Sequence, residues 1–110
     1  MKFLSISKPK DTLTMLPPAV TRQLMEISVA AIKQQKKEGK ILEYYYSPAA
    51  CSVVILDYKN AEEWVKDQNS IPILAYYDSE IYPLADFDES MKSFLETIKA
   101  AEKMMPGMPK

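Results

Sequence analysis

Residues 40–58 read KILEYYYSPAACSVVILDY, and this stretch decides the fold. Lys40 to Ser47 concentrates branched and aromatic side chains in Ile41, Leu42, Tyr44, Tyr45 and Tyr46. Cys51 to Tyr58 repeats that character with Val53, Val54, Ile55 and Leu56, so both segments predict strands. Between them, Ser47-Pro48-Ala49-Ala50 suits a type I turn with proline at its second position. The two strands are therefore expected to pair as an antiparallel hairpin.

Sequence on either side supplies the rest of a sheet and its cover. Lys2 to Lys8 alternates as a first strand, with Leu4 and Ile6 on one face and Phe3, Ser5 and Ser7 on the other. A loop holding Pro9, Asp11 and Thr12 leads to Pro17 and Pro18, where prolines tolerate a helix start, and Ala19 to Glu38 contains neither Gly nor Pro. Val20, Leu24, Ile27 and Ala31 recur at helical spacing, and Lys33, Lys36 and Lys37 suit the negative end of the helix dipole before Gly39 stops it. Downstream of the hairpin, Asn60 with Glu63 is a variant capping box for a short helix to about Gln68, with Trp64 as its anchor. Ile73 to Tyr82 alternates as a fourth strand whose ladder Pro83 ends, and Asp88 is a good cap for a last helix from Glu89 to about Met104. The order is the ferredoxin-like βαββαβ arrangement, an α+β fold with a four-stranded antiparallel sheet and an extra C-terminal helix. One domain over residues 1–104 and a flexible tail over 105–110 are expected.

Composition narrows the chemistry. With 110 residues there is room for one domain. Fourteen basic against fifteen acidic residues give a net charge of −1, far from the basic footprint of nucleic-acid binding. The absence of His excludes His-ligated metals and His-activated nucleophiles. The two glycines cannot build a phosphate-binding loop, and no metal-ligand set stands out, so no cofactor and no metal are expected. A lone Cys51 points to a reducing, cytoplasmic setting and reads as core filler. No segment is apolar enough for a signal peptide or a membrane span. Lys33, Lys36, Lys37 and Lys40 read as a solvated helix end, and Arg22 as exposed. Met104, Met105 and Met108 are either disordered or packed on a partner protomer.

A sheet covered on one face by helices leaves its other face for water or for a partner surface, and function is to be sought there. On the second strand Glu43 shares a face with Ile41 and Tyr45; on the fourth, Tyr76, Asp78, Glu80 and Tyr82 share the less apolar face. Placing Leu4 and Ile6 toward the helices turns Ser5 and Ser7 the other way. Ser5, Ser7, Glu43, Tyr45, Tyr76, Asp78 and Glu80 are thus expected on one aromatic surface with carboxylates. A carboxylate among aromatic rings can exchange a proton near neutral pH, which makes Glu43 the candidate proton shuttle and the others candidate substrate contacts. The alternative for Asp78 and Glu80 is ion pairing at a sheet edge or dimer seam, and for the tyrosines a place in a core or interface.

The run Lys37-Glu38-Gly39-Lys40-Ile41-Leu42-Glu43-Tyr44, the hairpin end Val54 to Asp57, and Asn60 to Trp64 resemble the muconolactone isomerase family. Ile71-Pro72-Ile73-Leu74-Ala75-Tyr76-Tyr77-Asp78-Ser79-Glu80-Ile81-Tyr82-Pro83-Leu84 is similar to that family's proline, aromatic, Asp-x-Glu-hydrophobic strand. The likeness covers about residues 35 to 87, and the second and third strands carry no His or Arg where such isomerases have polar and basic residues. The resemblance implies a dimeric α+β barrel, two sheets meeting at their uncovered faces, and cofactor-independent proton transfer that shifts a double bond in an unsaturated lactone. The expected partners are a small hydrophobic, carbonyl-containing molecule and a second copy of the chain, with no nucleic acid and no membrane. A noncatalytic ligand-binding or assembly module is the other expectation.

Overall fold

The computed structural model describes residues 1–105; of the tail expected over 105–110, residues 106–110, with Met108, lie outside them. The elements in order are β1 (Lys2–Pro9), α1 (Asp11–Thr14), α2 (Pro18–Lys37), β2 (Ile41–Ser47), β3 (Cys51–Asp57), α3 (Ala61–Gln68), a 3-10 turn (Pro72–Tyr76), β4 (Tyr77–Leu84) and α4 (Phe87–Met104). The four strands form one sheet in the order β2-β3-β1-β4 with every neighbouring pair antiparallel. This is the ferredoxin-like βαββαβ arrangement expected from the strand and helix signals, with α4 added.

Register assigns the faces. Phe3 opposes Leu56 and Pro83, Ser5 opposes Val54 and Ile81, and Ser7 opposes Ser52 and Ser79, so these residues share one face. Phe3 marks that face as the one under the helices: it is 3% exposed, edge-on to Trp64 of α3 at 5.1 Å between ring centroids, and stacked on Tyr58 at 6.3 Å. Phe3, Ile41, Leu56 and Tyr58 form the core, with Ile32, Val54 and Trp64 packed on it. Ser5 and Ser7 therefore point toward the helices, which corrects their expected place on the bare face. The alternation in β1 was read in the wrong phase because both of its faces carry apolar residues.

A second correction comes from a register irregularity between Ile41 and Glu43. Ile41 pairs with Leu56 and Glu43 with the adjacent Ile55, which leaves Leu42 as the extra residue of a bulge. Ile41 is thereby buried on the helix side while Glu43 and Tyr45 face outward, so Ile41 and Glu43 do not share a face as strict alternation predicts. Tyr44 and Tyr46 return to the helix side, where Lys36 Nζ of α2 lies 5.4 Å from the Tyr44 ring and donates to the Leu42 carbonyl.

Pro72 starts a 3-10 turn instead of strand, so β4 begins at Tyr77. Ser28 of α2, wholly buried, holds this turn: its hydroxyl donates to the Leu24 carbonyl at 2.7 Å and accepts from Ile73 N at 3.1 Å. Pro83 does not end the ladder, which runs to Leu84, because β4 is an edge strand and tolerates a missing donor. The last helix is capped by Asp86, whose side chain accepts from Glu89 N at 3.0 Å, two residues before the expected cap. Asn60 caps α3 as expected, accepting from Glu63 N at 2.8 Å.

In the hairpin, Ala50 N donates to the Ser47 carbonyl at 3.0 Å, and Ala50 has φ +60° before Cys51 pairs back with Ser47. The connection is a type I turn closed by a left-handed residue, a position that favours glycine. A left-handed alanine costs roughly 1–2 kcal/mol, and the added freedom of an unfolded glycine offsets part of this. Ala50→Gly is expected to stabilise the fold by about 0.5–1 kcal/mol and raise Tm by about 4 °C in a thermal melt. A lower Tm would contradict the strain.

Candidate functional site

The concavity that the fold builds lies between the sheet and α2, on the covered face. It has a volume of about 210 Å³ and is walled by apolar side chains, among them Met25, Val29, Ile32, Val54, Ile71 and Ile73. Its polar lining consists of hydroxyls and amides: Ser5 and Ser7 of β1, Gln35 of α2, Tyr46 of β2, Ser52 of β3, Gln68 of α3 and Tyr77 of β4. Each strand contributes because its helix-side residues come into register there. A shallower, open groove of about 890 Å³ runs along the outer surface of α1 and α2.

The cavity's polar groups are held in place. Ser7 is 7% exposed and its Oγ lies 2.8 Å from Ser79 Oγ, either hydroxyl donating. Gln35 Nε2 donates to the Asp67 carbonyl at 3.3 Å, and Tyr58 OH donates to Gln35 Oε1 at 3.5 Å. Behind Gln35, Asp67 accepts from Tyr58 OH and from Lys40 Nζ, each at 2.9 Å, and Lys40 also bridges Glu63 at 3.1 Å. Burial pushes the Tyr77 hydroxyl above its ordinary pKa, with a smaller contribution from Tyr46 beside it. As a phenol, Tyr77 is protonated at neutral pH and available as a hydrogen-bond donor.

The residues expected on the bare face divide. Glu43 and Tyr45 are there, on β2, and Tyr45 OH donates to Glu43 Oε2 at 3.1 Å. Asp78 and Glu80 are there too, on β4; Asp78 lies 3.9 Å from Lys10 Nζ, and Glu80 accepts from Tyr82 OH at 2.7 Å. Those hydrogen bonds raise the pKa of Tyr45 and Tyr82, since each hydroxyl donates to a carboxylate whose charge disfavours the phenolate. The strand order puts β2 and β4 on opposite edges, so the two carboxylate groups are separated by three strand spacings, roughly 14 Å. Leu4, Ile6, Val53 and Ile55 fill the interval. Tyr76 sits half-buried in the 3-10 turn, its carbonyl accepting from Lys10 N at 2.8 Å. The structure therefore joins Ser5 and Ser7 to a set that sequence reasoning did not include, Gln35, Tyr46, Ser52, Gln68 and Tyr77. The signal for it was Phe3, the largest side chain of β1 and on the same face as both serines.

No protein-family model matches the chain, and none of the curated proteins does. Among solved structures, muconolactone isomerase superposes with a TM-score of 0.67 at 19% identity, over 78% of this chain and 90% of that one. The chain has the muconolactone isomerase fold. A structural-genomics protein from Agrobacterium tumefaciens matches at 13% identity over 79% of this chain and 96% of that one, with a TM-score of 0.44. At 19% identity the likeness to muconolactone isomerase concerns the arrangement of sheet and helices, as the resemblance over residues 35 to 87 led one to expect. Among the described residues, no helix is long and apolar enough to cross a membrane.

Proposed function

We propose that the chain binds a small, mostly apolar molecule with a carbonyl oxygen in the cavity between the sheet and α2. The observation that carries this reading is the lining itself, apolar walls interrupted by converging Ser, Gln and Tyr groups. A volume of about 210 Å³ equals about seven waters at roughly 30 Å³ each, which suits a single small ring. The Tyr77 hydroxyl would donate to the carbonyl, with Ser5 or Ser7 as a second donor. The setting proposed is cytoplasmic, in line with the single Cys51.

The test is an NMR titration of the labelled protein with small unsaturated lactones and enones. Amide shifts are expected at Ser5, Ser7, Ser52 and Tyr77. Tyr77→Phe, which keeps the ring, should weaken binding about 3- to 10-fold, the worth of one hydrogen bond. Ser5→Leu, which fills the cavity, should abolish it. Binding untouched by both substitutions would overturn the assignment.

A second reading has a specific observation behind it: the Glu43–Tyr45 pair stands beside the apolar strip of the outer face. If two protomers face their sheets, that pair becomes enclosed, and Glu43 could move a proton beside a carbonyl in the manner of a cofactor-independent isomerase. Deuterium incorporation into a lactone in deuterium oxide, lost in Glu43→Gln, is the result this reading requires. Incorporation that persists in Glu43→Gln would remove Glu43 from the chemistry. Binding in the cavity without exchange leaves the noncatalytic function.

A further inference from the structure

Helix α4 stands away from the packed body. It has no buried residue, and the described chain extends 67 Å along its longest axis against 30 and 23 Å across. Phe87 is 72% exposed, Phe94 59% and Met105 56%. An isolated helix of 18 residues is marginal in water, so α4 needs a partner surface to persist.

The spacing says what kind. Phe87, Met91, Phe94, Ile98 and Ala101 recur at intervals of four, three, four and three, and Met105, the cap residue just past the helix, follows four further on. That is a heptad seam, the narrow stripe a helix presents to one other helix, in contrast to the wider stripe of a helix lying on a sheet. Glu89, Lys92, Glu96, Lys99 and Lys103 fall outside the seam and leave it uncharged. We propose that α4 pairs lengthwise with α4 of a second copy of this chain through this seam. Identical seams are self-complementary, which is the condition for a two-fold contact between like chains. Phe87, Phe94 and the flanking Leu95 each stay more than half exposed, so pairing removes a continuous apolar strip from water on both copies. The pairing involves neither the cavity nor the outer face of the sheet, so it stands whether or not a ligand binds or two sheets meet.

Sedimentation equilibrium of the full chain at micromolar concentration tests it. Because α4 buries nothing in its own protomer, the double substitution Phe94→Glu with Ile98→Glu leaves the body folded by its amide NMR spectrum. It is expected to raise the dissociation constant at least 100-fold and to lower α-helical circular dichroism. Lys92→Glu, outside the seam, should change neither. An unchanged association in the double variant overturns the proposal. So does an equal loss of association in Leu16→Glu, which would place α4 in the groove along α1 and α2 of the second copy instead.

Discussion

Phe3→Ala is expected to lower the stability of the fold by about 3–5 kcal/mol, enough to leave a large share of a domain this size unfolded at 37 °C. Phe3 joins three parts of the chain at once. It lies on β1 in register with Leu56 of β3, its ring meets Trp64 of α3 edge-on, and it stacks on Tyr58 after β3. Truncation opens a cavity beside Leu56 and Tyr58, themselves 3% and 2% exposed, and the surrounding strands cannot close it without losing register. Trp64 Nε1 is already buried without a hydrogen-bond partner among the described residues, so Trp64 holds α3 by ring packing, and the polar contacts of α3 run through Asp67 and Glu63 instead. Urea unfolding followed by Trp64 fluorescence measures the loss. A change under 1 kcal/mol would mean that Phe3 does not hold α3 on the sheet.

Asp67→Ala should cost less, about 1–2 kcal/mol for hydrogen bonds to a partly exposed carboxylate, but with a distinctive pH dependence. Burial alone would raise the Asp67 pKa; hydrogen bonds from Lys40 and Tyr58 outweigh it and hold the carboxyl below its usual value. A carboxyl with a lowered folded pKa contributes its stability above the unfolded value near 3.9, and this is lost as pH falls through the folded value. On the alkaline side, burial and the Asp67 hydrogen bond raise Tyr58, and hydrogen bonds to Asp67 and Glu63 raise Lys40. Their contributions are complete below the unfolded values near 10 and fade above them. Urea titrations of wild type and Asp67→Ala should therefore differ most between pH 5 and 9 and converge toward pH 2. A gap as wide at pH 2 as at pH 7 would show that the ionised carboxylate is not what the network uses.

Elements were legible where local chemistry acts alone. The hairpin, the Asn60 cap and the long α2 follow from turn residues, capping residues and helical periodicity within a few positions. What could not be read depended on contacts between distant parts of the chain. Whether Phe3, Ser5 and Ser7 or Leu4 and Ile6 face the helices is decided by Trp64 and Tyr58, more than fifty residues away. The 3-10 turn at Pro72–Tyr76 alternates like a strand, but Ser28 satisfies the Ile73 amide and holds it off the sheet. The outer face of β4 was read correctly in Asp78 and Glu80, and that of β2 in Glu43 and Tyr45. Their distance apart was not, because strand order is set by topology and not by the composition of either strand.

The bulge at Leu42 has a bearing on how this sequence can change. Ile41 and Tyr44, three positions apart, both look toward the helices because Leu42 is taken up between them as an unpaired residue. Loss of that one residue would let Ile41 pair with Leu56 and Glu43 with Ile55 in unbroken alternation, leaving Glu43 and Tyr45 outward and Tyr44 and Tyr46 on the side of α2. Most substitutions in β2 alter one wall of one surface. A single-codon deletion at the bulge would therefore preserve both surfaces, so two chains of this fold that differ by one residue in length at β2 are to be compared by face before they are compared by position.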